Sequence, residues 1–352
     1  MNNDASVDWP LTIGTEAALE DVLTRPSPRL IESIRSWVSP LVLLGAGGKM
    51  GPTLAVLARR AAEAAGHPLD VVAVSRFTDA NARAWLEDRG VRTVACDLLG
   101  PDAGALRALP DTSNVAYLVG LKFGTSKNPA ATWAMNTLVP ARVCERYAGA
   151  RIVALSTGNV YPMSEVARGG SLESDPLTPL GEYANAAVAR ERVFEFCARQ
   201  NAVKIALLRL FYAVELRYGV PVDIATKVRD GVPIHLANGA FHCIWQGDAN
   251  EAVLRALSLT APEPTAWNLC RPDVYSVREV AAGFGRLLGR EPQFVGTESA
   301  TALLGNPGRL VGELGAPAVE MDRMMPWIAD WVRRGGRNLG RPTHFETRDG
   351  RY

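Results

Sequence analysis

An excess of charge of either sign is missing from this sequence: 38 Lys and Arg stand against 37 Asp and Glu. So even a balance gives no electrostatic footprint for nucleic acid, a membrane surface or a polyanion, and no nucleic-acid partner is expected. Cysteine is sparse. Cys96, Cys144, Cys197, Cys243 and Cys270 are far apart, odd in number and without a C-x-x-C pair. That usage argues against a disulfide framework and for a reduced, cytoplasmic compartment. Histidine is scarcer still, and His67, His235, His242 and His344 show no ligand spacing, so no metal site is expected. No apolar run approaches the roughly 20 residues needed to span a bilayer. The N-terminus carries Asp4, Asp8, Glu16 and Glu20 instead of a basic stretch followed by an apolar one, which argues against a signal peptide. Internal repeats and low-complexity tracts are also lacking.

What is present is ample core material: 47% of the 352 residues are hydrophobic. The length suggests two domains. Residues 1–39 read as an N-terminal extension with two short helical segments, punctuated by Pro26, Pro28 and Pro40. It is expected to pack on the main domain or on a partner subunit, and a homodimer is compatible with this reading. From Leu41 onward, short apolar runs alternate with helical stretches. Strands are expected over 41–44, 70–74, 91–95, 115–119, 151–155 and 204–210, most of them apolar on both faces. Leu54, Leu57, Ala58, Ala61 and Ala65 share one helical face, and Gly66 can stop that helix. This pattern predicts an α/β fold, a doubly wound parallel Rossmann sheet over residues 40–212. After Phe211 the alternation becomes irregular, so 213–352 is expected to form a smaller substrate lobe, with 266–269 returning to the sheet. The polar tail beyond 342 is either frayed or laid across a surface.

The first strand runs into Gly45-Ala46-Gly47-Gly48-Lys49-Met50-Gly51. Glycines at a strand–helix junction let the backbone turn tightly and approach a pyrophosphate, which the helix N-terminus then attracts. Met50 breaks the G-x-G-x-x-G spacing, and Leu43 and Met50 break the phosphate loop of NTPases despite the Gly48-Lys49 pair. The spacing that fits is G-x-x-G-x-x-G at Gly45, Gly48 and Gly51. A simple tight turn is the plainer alternative.

With these glycines and the motifs that follow, the chain resembles the extended short-chain dehydrogenase/reductases, also called the NAD-dependent epimerase/dehydratase family. The resemblance runs loosely over about residues 40–290. Asp97-Leu98 follows the third strand, where the family contacts adenine. Gly120-Leu121-Lys122 follows the fourth and is similar to a tripeptide that lines the cofactor in sugar-nucleotide epimerases. Asn136 matches a helix asparagine behind the cofactor. Ser156-Thr157-Gly158-Asn159-Val160-Tyr161 resembles the segment S-S-x-x-V-Y. Tyr183 follows at a family-like separation, and Arg209-Leu210-Phe211 resembles R-x-F at the nicotinamide end.

The resemblance implies that Thr157 holds a substrate hydroxyl or carbonyl and that Tyr183 is the general acid/base, since hydride transfer at a carbinol carbon needs a proton moved at oxygen. The plainer alternatives are a turn-forming Thr and a buried Tyr at a helix start. One departure stands out. The family pattern is Y-x-x-x-K, and here Ala187 takes the lysine position. On a helix, i and i+4 share a face, so that lysine sits beside the tyrosine and lowers its pKa. Three explanations are open: another cation substitutes, either Lys122 or Arg190; the charge of the oxidised nicotinamide suffices for a slow reaction; or the protein binds cofactor without turnover.

Ser75-Arg76 ends the second strand, where NAD-specific enzymes carry an acid, and Arg76 can pair with a 2′-phosphate instead. The expected cofactor is therefore NADP or NAD, with NADP slightly favoured; a solvent-facing Arg is the alternative. Tyr212 stands where sugar-nucleotide epimerases carry Asn, and Phe241 stands at the position of their phosphate-binding Arg. Both weaken a nucleotide-sugar reading. The expected function is that of an NAD(P)-dependent oxidoreductase or epimerase acting on a hydroxyl- or keto-bearing small molecule, such as a sugar or sugar acid. The competing reading is a non-catalytic NAD(P)-binding sensor or scaffold.

Overall fold

A computed structural model of the protein describes residues 9–120, 128–341 and 343–350. Seven strands form one parallel sheet: β1 (Leu41–Leu44), β2 (Val71–Ser75), β3 (Arg92–Ala95), β4 (Asn114–Tyr117), β5 (Arg151–Thr157), β6 (Lys204–Leu210) and β7 (Thr265–Leu269), in spatial order β7-β6-β5-β4-β1-β2-β3. The alternation of side chains along a strand explains why these runs are apolar throughout. Leu41, Leu43, Val71 and Ala73 face one layer of helices, while Val42, Leu44, Val72 and Val74 face the other. The sheet is a doubly wound Rossmann-like α/β fold, as the alternation implied, and β7 is the returning strand.

Two short helices precede the sheet, α1 (Glu16–Leu23) and α2 (Pro28–Ile34), capped by the side chains of Thr15 and Ser27. The extension packs on its own chain. Leu19 and Leu23 of α1 join the C-terminal core, and Leu30 and Ile34 of α2 join the sheet core. The next helices are α3 (Gly51–Ala65), α4 (Ala80–Glu87), α5 (Ala103–Arg107), α6 (Pro129–Arg146) and α7 (Gly181–Asn201). Helix α3 ends at Gly66 in the left-handed conformation, φ 62°, as its stop signal predicted. Helices α6 and α7 pack on each other and on one face of the sheet; α3 lies on the opposite face with α9 (Gln246–Arg255). Helices α8 (Val220–Asp230), α10 (Val277–Leu288) and α12 (Met321–Arg333) pack together around Val228, Phe284, Trp327 and Ile328. The short α11 (Gly308–Leu314) covers β7.

Two strand ends differ from the expectation by two residues, both at the carboxyl edge, and the other bounds agree to within one residue. Strand β4 stops at Tyr117, because the Val119 carbonyl accepts from Arg190 of α7 instead of from a neighbouring strand. Strand β5 runs on to Thr157, because β6 is long enough to pair with it as far as Leu210.

The tail is laid across a surface. Arg348 donates to Ala237 O, Asn238 Oδ1 and Thr301 O, at 2.6–3.1 Å. Asn238 returns a bond to Phe345 O at 2.7 Å. Gly350 then lies so close to Leu180 and Gly181, before the first turn of α7, that a Cβ on it would stand 2.3 Å from Leu180 O.

Candidate active site

The glycine loop is built to admit backbone and nothing more. Gly45 has φ +83°, and a Cβ there would lie 3.0 Å from the Val119 nitrogen. One on Gly47 would lie 2.5 Å from Ser75 Oγ, and one on Gly51 would lie 2.3 Å from Ala46 O. The loop is fastened to β2, since Gly45 and Ala46 both donate to Val74 O, and Gly48 donates to Gly45 O at 3.1 Å. Helix α3 begins at Gly51 with Met50 as its N-cap residue, and no side chain caps its first N–H groups. Uncapped N–H groups at a glycine-lined helix start suit a pyrophosphate.

Beside the loop, along the ends of β1 to β4, runs a cleft of about 260 Å³. It is lined by Gly45, Gly48, Ser75, Arg76, Asp97, Leu98 and Gly120, all expected at the cofactor. Arg76 is exposed there. The nearest acid, Asp79, caps α4 by accepting from the Asn81 and Ala82 amides. Asp97 accepts from Leu99 N at 3.1 Å and so shapes the turn after β3. Lys49 departs from the others. Its ammonium turns away from the cleft, donates to Ala213 O at 2.7 Å and sits 4.2 Å from the centroid of the Tyr218 ring. Met50 packs on the sheet core. Lys122 lies outside the described residues.

Thr157 ends β5 and is nearly buried. Its Oγ1 accepts from both Asn159 nitrogens, at 3.1 and 3.2 Å, so it caps the turn that follows. Those bonds occupy its lone pairs and leave its proton to give. Tyr183 stands in the first turn of α7, also nearly buried. One turn on, Ala187 packs with Val160 and Tyr161 just after Thr157, which brings the start of α7 to the end of β5. Phe211 lies beneath, its ring filling the space a Cβ on Gly158 or Gly305 would need.

Below this surface is a buried charged network. Glu191 of α7 accepts from Arg209 and from the hydroxyl of Ser156, the neighbour of Thr157. Burial works against the Arg209 charge, but the Glu191 carboxylate outweighs it and raises the Arg209 pKa. Arg209 also donates to Tyr161 Oη, and Tyr161 donates to Asn268 Oδ1. Asn136 is wholly buried in α6 and accepts from Arg190 Nη1 at 2.9 Å.

Tyr218 is a residue that no sequence motif marks. Its phenol is pushed up by burial, by Asp223 and by the proximity of Tyr183, while Arg341 pulls it down. It carries the glycine-loop lysine on its ring and lies near enough to Tyr183 to feel its charge. Phe241 is a core residue, with its ring 5.7 Å from that of Tyr275. Three arginines of the C-terminal part are already paired: Arg271 with Asp273 and Glu320, Arg217 with Glu215 and Glu16, and Arg278 with Glu298. Among the described residues no cluster of His, Cys, Asp or Glu could hold a metal ion, and no helix is long and apolar enough to cross a membrane.

The sequence matches the profile of the NAD dependent epimerase/dehydratase family over residues 41–217. None of the curated proteins matches it. Among solved structures it is similar to MoeE5 in complex with UDP-glucose and NAD, at 20% identity over 85% of this chain and 99% of that one, with a TM-score of 0.66. It is also similar to the UDP-glucuronic acid 4-epimerase of Bacillus cereus in complex with UDP-glucuronic acid and NAD, at 15% identity over 84% and 99% of the two chains, with a TM-score of 0.68. The UDP-glucose 4-epimerase of Thermus thermophilus, complexed with NAD, gives 18%, 84%, 99% and 0.64. At these identities the likeness is one of fold.

Proposed function

The chain belongs to the NAD-dependent epimerase/dehydratase family, and we propose that it is an NAD(P)-dependent oxidoreductase or epimerase acting on the hydroxyl or keto group of a sugar or sugar acid. The observation that carries this reading is a glycine-lined cradle at the carboxyl edge of the sheet, where Thr157 ends β5 and where α7, whose first turn bears Tyr183, packs on the residues that follow. The cradle fits a dinucleotide: Gly45, Gly47 and Gly51 occupy points where a Cβ would collide, and α3 offers N–H groups without a side-chain cap. Gly45, Gly48, Met50 and Gly51 would hold the pyrophosphate through backbone N–H groups. Ser75, Arg76, Asp97 and Leu98 would line the adenosine end, and Gly120, Asn136 and Phe211 the nicotinamide end. A bound dinucleotide supplies the hydride acceptor and donor.

The proton is the protein's part. Thr157 orients the substrate oxygen by donating to it, because its own lone pairs are taken by Asn159. Tyr183 accepts the hydroxyl proton as carbon is oxidised and returns it on reduction. The Glu191–Arg209–Ser156 network holds β5 against α7, and with them the two side chains. Burial of both groups keeps bulk water from the reacting oxygen.

Calorimetry with NAD and NADP, followed by turnover of aldoses and uronic acids read as NAD(P)H absorbance, tests the reading. Micromolar dinucleotide binding is expected, with turnover reduced about 100-fold or more in Tyr183→Phe. Failure to bind either dinucleotide would overturn it. Binding without turnover of any substrate would favour a cofactor sensor.

A further inference from the structure

Helix α7 presents a second cation toward the site. Tyr183 and Arg190 are seven residues apart, which places them within about 20° of one helix face. Side chains on a helix lean toward its N-terminus, so the Arg190 head lies over the preceding turn, level with Ala187. The guanidinium reaches the carboxyl end of β4, where Nη1 donates to Val119 O at 3.2 Å and to Asn136 Oδ1 at 2.9 Å. A Cβ on Gly120 would stand 2.9 Å from that nitrogen, so the glycine at the cleft wall is what lets Arg190 come this far.

The charge of Arg190 is not neutralised locally. It is 4% exposed, yet among the described residues no carboxylate lies within ion-pair distance of it. The contrast with Arg209, equally buried and paired to Glu191 at 2.7 Å, is direct. A cation held inside a protein by neutral acceptors alone is costly, and an anionic group brought to it offsets that cost. One such group belongs at this edge: an ionised Tyr183.

We propose that Arg190 supplies, from one turn further along α7, the cation that Ala187 cannot: it favours the ionised oxygen of Tyr183 and holds the dinucleotide beside Gly120. This rests on the reading of Tyr183 as the acid/base. Other groups face the pair. Tyr117 of β4 lies toward Arg190. Glu191, next along α7, is committed to Arg209 and Ser156. Tyr218 lies toward Tyr183, with Lys49, Asp223 and Arg341 around it. Of the cations, Lys49 is bonded to Ala213 O and seated on the Tyr218 ring. Among the described residues, Arg190 is the cation that donates at the β4 edge.

The test has a readout that needs no turnover. Phenolate absorbance, titrated with alkali in cofactor-free protein and taken as the difference between wild type and Tyr183→Phe, isolates Tyr183. Arg190→Met, and Arg190→Gln, whose amide can keep the bond to Val119 O, should each raise its midpoint by about one pH unit or more. They should also weaken dinucleotide binding about 10–100-fold. Adding Ala187→Lys to Arg190→Met should restore both. A midpoint and an affinity unchanged in both single variants would overturn the proposal, as would restoration of neither by the lysine. If the midpoint moves as expected while no hydroxyl or keto substrate turns over, Arg190 keeps this role and the oxidoreductase reading falls instead.

Discussion

Glu191 accepts three hydrogen bonds from the Arg209 guanidinium, at 2.7–3.2 Å, in a place where neither side chain reaches solvent. The pair joins α7 to β6, and through Ser156 it also joins β5. Removing one partner strands the other as a buried, unpaired charge. Glu191→Ala should therefore cost about 3–5 kcal/mol. Replacing both at once, Glu191→Leu with Arg209→Met, should recover most of that loss, because apolar pairs of similar volume tolerate the site. Urea unfolding of the unaltered protein and the two variants gives the answer. A double variant as unstable as the single one would mean that the network matters for its hydrogen bonds to Ser156 and Tyr161 more than for its charge.

Cofactor choice turns on Arg76. Asp79, the nearest acid along the sequence, caps α4, while Arg76 is exposed in the cleft at the end of β2. We expect NADP to bind more tightly than NAD, by about 10–100-fold, the range of one charge-assisted contact to a 2′-phosphate. Arg76→Ala should erase the difference while leaving NAD affinity alone. Titrations of both dinucleotides against both proteins decide it, and tighter NAD binding by the unaltered protein would sink the expectation.

Nucleoside diphosphate sugars should be poor ligands. Phe241 is turned into the core, and Arg217, Arg271 and Arg278 are each held by carboxylates. A diphosphate entering there would have to break one of those pairs or remain without a counter-charge, and either is costly. Calorimetry with UDP and UDP-glucose at millimolar concentration is the check. Micromolar affinity would show that one of the three arginines is released on binding.

Much of this was legible in the sequence, for a physical reason. Strand and helix periods are local, so the odd–even split of Leu41–Leu44 across the sheet and the stop of α3 at Gly66 could be read from neighbouring residues alone. The positions of Thr157 and Tyr183 followed from motifs that sit next to strand and helix ends. What stayed hidden depends on contacts distant in sequence. Lys49 belongs to the glycine loop, yet its ammonium bonds the Ala213 carbonyl, 164 residues away. Nothing near Tyr218 announces that Lys49 sits on its ring. The tail, with no period of its own, is fixed by Arg348 to Asn238 and Thr301. Arg190 could be named as a candidate cation by helix spacing, but its lack of a carboxylate partner among the described residues is a fact of packing.

Two buried groups should set opposing slopes of stability against pH. His242 is held down to about 4 by burial, against 6.5 when free, and its Nδ1 accepts from Gly305 N. Between those values the unfolded chain takes a proton that the fold refuses, so this group makes stability fall as pH drops from 6.5 toward 4. Asp248 is pushed the other way, up to about 7 by burial from 3.8, while it accepts from Val319 N at 2.8 Å. Here the fold keeps a proton that the unfolded chain releases, so its contribution is full below 3.8 and is lost as pH rises through 7. Each slope amounts to up to about 1.4 kcal/mol per pH unit within its window. In the shared window from pH 4 to 6.5 they offset each other, and these two groups leave stability nearly level. His242→Gln should unmask the Asp248 slope, giving a protein that loses stability as pH rises. Asp248→Asn should unmask the His242 slope, giving one that gains it. Urea midpoints at pH 4.5, 5.5 and 6.5 would show the two variants diverging in opposite directions. Parallel curves would mean that the protons are taken up elsewhere, with the Asp248 contact to Val319 serving only to join α9 to the chain before α12.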